Sequence, residues 1–560
     1  MTRELAADPV LGRLADAVLI PPFPGGHEPD WLRAALADGL GGVTLYGMNI
    51  QDDRQLAALT ARLRAAAPEP VIAIDEEGGD VTRISHQGGS DYPGNAALGA
   101  IDDVELTRSV YAALGADLAA LGINLNLAPA VDVNTAAGNP VIGTRSFGAD
   151  PDLVARHAAA AVIGMQSAGV AACAKHFPGH GSTTEDSHLV LATVDAPLSL
   201  LRARDLPPFE AAIAAGVRAI MPGHLLVPEL TGDLPASLSR RAQTDLLRGE
   251  LGFTGVIVSD GLEMQAVSDR YGIPEAAVQA VLAGTDLLCL GREQDQLTML
   301  AVKAALVAAV RSGRLPGERL EEAAARVAEL RAWTAAALPD ATARAAADAA
   351  AAGAAVAGTA VAGTAAEVTA IASTAVASTA VASTAEASTG AASTGAVSTG
   401  AADVAAAGTA ADGSIGLAAA RRAISVSGTL PSPNRPLVVQ LVPPSNLAAG
   451  TVPWGLRPYV PADSYREIST GTPVDSLADV VAGILDEARG RTLIVVVRDA
   501  HRHEAAAGAA ELILAARPDA VLLEMGLPVW RPSAGSYVAT YGAARSNCRA
   551  AAEVMGLAEL

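Results

Sequence analysis

Between Val18 and Gly291 short apolar runs alternate with segments of helical periodicity, and each run stops at Gly, Pro, Asn, Asp or His. This alternation narrows the possible folds more than any other feature, because strands separated by helices build a parallel sheet covered by those helices. The candidate strands are AVLIPPF from Ala17, GVTLYGMN from Gly42, VIAIDEEGG from Val71, NLNLAPAVDV from Asn124, AACAKHFPGHG from Ala171, VRAIMPGH from Val217, GVIVSDG from Gly255 and DLLCLG from Asp286. Eight such runs suit a closed (β/α)8 barrel. Runs such as VIVS and LLCL show no polar alternation, as expected of strands buried on both faces. In the segment after QDDRQ, Leu56, Leu59 and Leu63 recur on one helical face behind an acidic start at Asp52 and Asp53. The expected fold class is therefore α/β with a TIM-type barrel, and a doubly wound open sheet is the rival.

The pattern lapses between about Asp340 and Asp412, where Ala, Ser, Thr and Gly dominate and a short AST repeat recurs. Side chains this small make no core, so a spacer is expected. Beyond it, RPLVVQLVPP from Arg435, TLIVVVRDA from Thr492, AVLLEMGLP from Ala520 and SYVATYG from Ser536 read as buried strands, with a helix from Glu504 to Ala516. The expected organisation is a barrel over 1–338, a linker over 339–413 and a smaller C-terminal α/β domain over 414–560.

Charge and cysteine usage exclude several function classes. A formal net charge of -21 in 560 residues opposes nucleic acid and anionic membrane surfaces. Cys173, Cys289 and Cys548 lie far apart and form no paired metal spacing or disulfide framework, which fits a reducing compartment. The acidic opening MTRELAADPVLG lacks the basic head of a secretion signal, and the uncharged run Ala349 to Ala366 has almost no Leu, Ile or Phe to hold it in a bilayer. A cytoplasmic protein without a membrane span is expected. The sequence leaves the oligomeric state open.

In a barrel the catalytic groups sit at the carboxyl ends of the strands. There the chain delivers Asp75, Glu76 and Glu77 after the third run, Asp132 after the fourth, Lys175 and His176 after the fifth, His224 after the sixth and Asp260 after the seventh. Any one of these acids could simply cap the next helix, and Asp132 is the plainest such case. The densest cluster is KHFPGHGSTTEDSH, Lys175 to His188, whose Pro and Gly residues make a shaped loop. A metal site from His176, His180, Asp186 and His188 is the rival reading of that loop.

KHFPGHG, four residues, then DSH, together with VSDGLEM at Val258 to Met264, resembles the β-N-acetylhexosaminidase branch of glycoside hydrolase family 3. The likeness extends through IDEEGGDVTR at Ile74 to Arg83, LAPAVDVN at Leu127 to Asn134, NPVIGTRSFG at Asn139 to Gly148 and ASLS at Ala236 to Ser239, and more loosely to VATYGAARSNCRAAAEVMG near the end. The resemblance implies Asp260 as the nucleophile of a retaining mechanism, with His188 as general acid/base and Asp186 holding it. Retaining enzymes more often use a second carboxyl group, but a histidine titrates near neutrality and can serve both steps. By the same resemblance Asp75, Arg83, Arg145, Lys175 and His176 bind the sugar, and no metal or organic cofactor is implied. His180 and His224 support the loop and rim, or are histidines satisfied within the core.

One departure from the resemblance is Asp80, since members usually read GGR where this chain has GGD, which replaces a positive charge with a negative one near the site. The expected function is hydrolysis of terminal, non-reducing β-linked N-acetylglucosamine from cell-wall turnover fragments or chitin-derived oligosaccharides. Two alternatives stay open. A phosphorylase would use phosphate as acceptor, because a histidine acid/base does not repel an anion as a carboxylate would. A degenerate sugar-binding module would lack the reaction altogether. Glu524, an acid at the end of a predicted strand, is the alternative acid/base, and the C-terminal domain either reaches the site or lies beside it.

Overall fold

The computed structural model of the chain describes residues 8–187, 189–337, 414–444, 450–471, 477–532 and 535–557. The expected linker, 339–413, lies outside the described residues, as do 1–7. Among the described residues no helix is long and apolar enough to cross a membrane.

The chain has an α/β fold. In its first half the strands are β1 (Leu19–Ile20), β2 (Gly42–Leu45), β3 (Val71–Ile74), β4 (Leu125–Asn126), β5 (Ala171–Phe177), β6 (Ala192–Thr193), β7 (Ala219–Pro222), β8 (Leu225–Leu226), β9 (Val256–Ile257) and β10 (Leu288–Cys289). Six form one curled parallel sheet in the order β2-β3-β4-β5-β7-β9, while β1 pairs in parallel with β10, and β6 with β8. Thr44 N–H donates to Pro21 O at 3.2 Å and Ser259 N–H to Leu287 O at 2.8 Å, so the β1-β10 pair is tied to both ends of that sheet. Each apolar run singled out in the sequence contains a strand, but the strands are shorter than the runs. AVLIPPF yields two strand residues because Pro21 and Pro22 have no N–H to give the ladder.

Side chains alternate between two cores, as a period of two requires. Ile20, Ala73, Leu125, Cys173, Met221, Val258 and Cys289 point to one face and pack together, joined by Val327 and Leu330 of the helix at 317–337. Leu19, Val43, Ile72, Ala172, Ile220, Ile257 and Leu288 point to the other and meet the helices. The helix Asp53–Ala66 shows how the sequence sets this up. Asp52 caps it through the Gln55 N–H at 2.7 Å, and the buried Leu56, Leu59 and Leu63 lie on its inner face.

The second half carries β11 (Ser425–Ser427), β12 (Leu437–Val442), β13 (Tyr465–Ser469), β14 (Leu493–Val497), β15 (Val521–Glu524) and β16 (Ser536–Ala539). They form a separate sheet in the order β11-β16-β15-β14-β12-β13, parallel except for β11. Its two faces have their own cores. Val439, Val495 and Leu522 pack on Ile513 of the helix Glu504–Ala516, and Ile494, Val496 and Val538 pack on Ala551 and Met555.

The halves meet through charge. Asp80, buried in the first half, accepts from Arg498 at 3.0 Å, from the Ala543 N–H at 3.0 Å and from the Thr144 hydroxyl at 2.7 Å. Arg545 pairs with Asp91, Arg422 with Asp103 at 2.9 Å, and His501 Nε2 donates to the Ala137 carbonyl at 2.7 Å. Asp80, the departure from the expected GGR, is therefore the anchor for an arginine of the second half. Removing one partner of a buried ion pair leaves the other charge uncompensated. Arg498→Ala should lower stability by about 3 kcal/mol in urea titrations, and Asp80→Ala combined with it should cost less than the sum of the two single changes.

Candidate active site

The carboxyl ends of the first sheet open on a cavity of about 910 Å³. Asp75, Arg83, Arg145, Lys175, His176 and Asp260, all singled out in the sequence, line it together. Asp186 lines the adjoining cavity, and the next residue, Ser187, lines this one. His188 lies outside the described residues.

The floor is a relay of alternating charge. The Lys175 ammonium, 2% exposed, sits against Asp75 and at 2.8 Å from Glu77. Glu77 also takes a bidentate contact from Arg145, at 2.8 Å and 2.7 Å. Burial pushes the Glu77 carboxyl up, but Arg145 and Lys175 outweigh it and hold it well below the usual carboxylate range. Burial likewise works against the Lys175 ammonium, and Asp75 and Glu77 more than restore it, so it stays charged. Arg83 completes the group at 3.5 Å from Asp75. Charged donors and acceptors held this way are suited to the paired hydroxyls of a sugar ring.

Asp132 does not cap a helix, contrary to the simplest reading of its position. Its carboxylate accepts from the His176 N–H at 3.2 Å, the His180 N–H at 2.7 Å and His176 Nδ1 at 2.8 Å. It thus fixes the turn of the KHFPGH loop and aims His176 Nε2 toward Arg145 at 3.3 Å. The ring nitrogens of His180 are engaged by Thr183 and Ser187, both at 2.8 Å, and burial followed by the neighbouring His176 lowers its pKa to about 4. His224 is buried too, bonded to Ser237 at 2.6 Å and donating from Nε2 to the Gly261 carbonyl at 2.9 Å. Both histidines brace backbone beside the cavity: His180 holds the loop, and His224 the residue that follows Asp260.

Asp260 follows β9, half-buried, and one of its oxygens accepts the Gly261 N–H at 2.8 Å. Glu524 does not line this cavity. It is fully buried, and its carboxylate accepts the N–H groups of Asp499, Ala500 and Gly526 at 2.7, 3.2 and 2.7 Å, which shapes the loop after β14.

Several lining residues had no role in the sequence reading. Glu77, which stands at a strand end behind the lining, bridges Lys175 and Arg145, and nothing in the residue order reveals that. Tyr46 and Cys289, their side chains 3.6 Å apart, line the wall from the ends of β2 and β10. Gly450, Thr451 and Val452 come from the second half, and no sequence signal pointed to them.

A parallel α/β sheet with acids, a buried lysine and a carboxylate-gripped arginine around an open polar cavity at its carboxyl ends suits a hydroxyl-rich ligand, and the comparisons identify the class as glycoside hydrolase. The family model described as the Glycosyl hydrolase family 3 N terminal domain matches residues 29–330, and the chain belongs to that family. A β-hexosaminidase of Stenotrophomonas maltophilia is 41% identical over 269 residues, which are 47% of this chain and 78% of the relative. The structure of a family 3 β-N-acetylglucosaminidase from Paenibacillus superposes with a TM-score of 0.75 at 30% identity, covering 98% of this chain and 96% of the other. A β-N-acetylhexosaminidase from Beutenbergia cavernae matches with a TM-score of 0.53 at 31% identity, over 58% of this chain and 99% of its own.

Glu76, beside the relay, gives the site a pH signature. Burial raises its carboxyl to about 7, against three donors, Thr82 Oγ1 and the N–H groups of Arg83 and Ile84. A carboxyl raised on folding favours the folded state fully below its unfolded value near 4.5, and that contribution is lost as pH climbs through about 7. Glu76→Gln, which cannot ionise, should therefore gain on the wild type by about 2–3 kcal/mol between pH 4.5 and pH 8 in denaturant titrations.

Proposed function

We propose that this glycoside hydrolase removes terminal, non-reducing β-linked N-acetylglucosamine with retention, through a covalent glycosyl intermediate on Asp260. The observation that carries the reading is the meeting of Asp260 with Asp75, Arg83, Arg145, Lys175 and His176 around one cavity. The β-hexosaminidase and β-N-acetylglucosaminidase names of the relatives support the choice of sugar. The scaffold is read as a closed (β/α)8 barrel, supported by the ties of the β1-β10 pair to both ends of the six-stranded sheet. A C-terminal α/β domain over 414–560 completes it, supported by the second sheet and its separate cores.

In this mechanism Asp75, Lys175, His176, Arg145 and Arg83 fix the sugar hydroxyls so that the anomeric carbon faces Asp260. His188, oriented by Asp186, protonates the departing glycosidic oxygen while Asp260 attacks. It then takes a proton from the water that frees the sugar. Cell-wall fragments or chitin-derived oligosaccharides in the cytoplasm are the proposed source, and the free, buried state of Cys173, Cys289 and Cys548 is compatible with reducing surroundings.

Three variants test the assignment on a nitrophenyl N-acetylglucosaminide. Asp260→Asn should lower kcat by at least about 10³-fold, and a fluoro-sugar inactivator should label Asp260 in peptide mass spectra. His188→Ala should lose about 10²–10⁴-fold, while Glu524→Ala, to the extent that it folds, should keep the wild-type pH profile. Full activity of Asp260→Asn would overturn the mechanism, and N-acetylglucosamine 1-phosphate as the product in phosphate buffer would make the chain a phosphorylase.

A further inference from the structure

The loops that carry Glu77 and Arg145 are stitched together twice. The first stitch is the bidentate pair between those two residues, at 2.8 Å and 2.7 Å. The second lies just beyond Glu77 and just before Arg145, where Asp80 accepts the Thr144 hydroxyl at 2.7 Å. Asp80, Thr144 and Arg145 line the adjoining cavity, of about 690 Å³, which lies between the two halves. Arg145 lines the catalytic cavity as well, so it stands in the wall the two have in common.

The stitches differ in what balances their charge. Glu77 finds Lys175 and Arg145 inside the first half. Asp80 is 8% exposed, and among the described residues its ion-pair partner is Arg498 of the second half, on the same carboxylate oxygen, Oδ2, that accepts the Thr144 hydroxyl. Arg498 is itself held in place. It directly follows β14, the N–H groups of the next two residues donate to Glu524 at 2.7 and 3.2 Å, and its guanidinium lies 5.7 Å from the centre of the Trp454 ring.

Arg145 ends the short 3-10 turn Gly143–Arg145, whose own bonds are mostly local: the Arg145 N–H donates to the Ile142 carbonyl at 2.8 Å, and its guanidinium reaches the Val141 carbonyl at 3.1 Å. The Thr144 hydroxyl is the bond by which this turn is fastened to the Asp80 loop. Without Arg498 the buried Asp80 charge is uncompensated, and it is relieved by moving toward the open space between the halves, away from Thr144. A group that must meet paired hydroxyls tolerates little such displacement, since a shift of about 1 Å can cost about 10²-fold in rate.

We propose that Arg498 is a positioning residue of the sugar site: by neutralising Asp80 it keeps the Thr144 stitch closed and thereby sets Arg145, which it reaches only through that chain of contacts. The second half then tunes the grip on the sugar with a side chain that does not line the catalytic cavity. This rests on the reading of Arg145 as a sugar ligand, and the test has two arms, of which one uses no sugar.

The first arm measures turnover of a nitrophenyl N-acetylglucosaminide at a temperature where circular dichroism shows each variant folded. Arg498→Gln should raise KM about tenfold and move kcat by less than about threefold, and Arg498→Lys, which keeps the charge, should stay within about twofold of the wild type. Arg422→Gln, which breaks the 2.9 Å pair with Asp103 elsewhere on the junction, should leave KM unchanged. In a Thr144→Val background, Arg498→Gln should add less than about twofold. An unmoved KM in Arg498→Gln, or an equal rise in Arg422→Gln, overturns the proposal. The second arm follows amide hydrogen exchange of residues 141–146 in the full chain. Exchange at least about threefold faster in Arg498→Gln, and unchanged in Arg422→Gln, supports the coupling even on a chain that cleaves no glycoside. Unchanged exchange in Arg498→Gln overturns it even on an active one. Faster exchange with an unmoved KM overturns the reading of Arg145 as a sugar ligand, and the positioning role with it.

Discussion

The Lys175 ammonium is buried at the end of β5, and the arrangement of the rim follows from the need to neutralise it. An unpaired charge at that depth is prohibitively unfavourable, so Asp75 and Glu77 must arrive from the end of β3 on the correct side. Asp75 and Glu77 together then carry more negative charge than Lys175 alone can balance, and Arg145 supplies the second positive charge from the loop after Asn139. Three segments distant in sequence are thereby held in one register. The same network fills the floor of the cavity with fixed donors and acceptors before any ligand arrives, which spares a polar ligand the work of ordering them.

Much of this was legible in the order of residues. Strand ends were marked by Gly, Pro and acids, and the barrel rule places functional groups there, so Asp75, Lys175, His176 and Asp260 could be nominated by position, while Arg83 and Arg145 came from the family resemblance alone. The structure brings all six to one cavity. Helix faces were legible for the same reason of periodicity, as the buried Leu56, Leu59 and Leu63 show. What sequence spacing could not give was partnership. Asp132 looked like a helix cap because caps depend on neighbours, whereas its contacts lie 44 and 48 residues away, on His176 and His180. Glu524 is the reverse case, an acid at a strand end whose environment is backbone N–H groups and not a cleft.

The second half was the less readable part. Its parallel strands stood out as apolar runs, but β11 is three residues of Ser-Val-Ser paired antiparallel on an edge, too short and too polar to announce itself. Asp80 was visible as a departure from the family pattern, and its meaning was not, because the arginine that answers it is 418 positions later along the chain, at Arg498. With Asp80 as anchor, the strand ends of the second sheet face the same space as those of the first. The wall between the two cavities is consequently built from both halves, and Thr451 and Val452 belong to it as fully as Val141 and Arg145 do.

Among the described residues the ion pairs at the junction run one way: Asp80, Asp91 and Asp103 on the first half, and Arg498, Arg545 and Arg422 on the second. A face carrying one sign meets a face carrying the other, which gives the seam a polarity as well as a fit. Two first halves brought together through this face would set acid against acid, and two second halves arginine against arginine. Like-with-like pairing of these faces is thus disfavoured by the same charges that join the unlike halves.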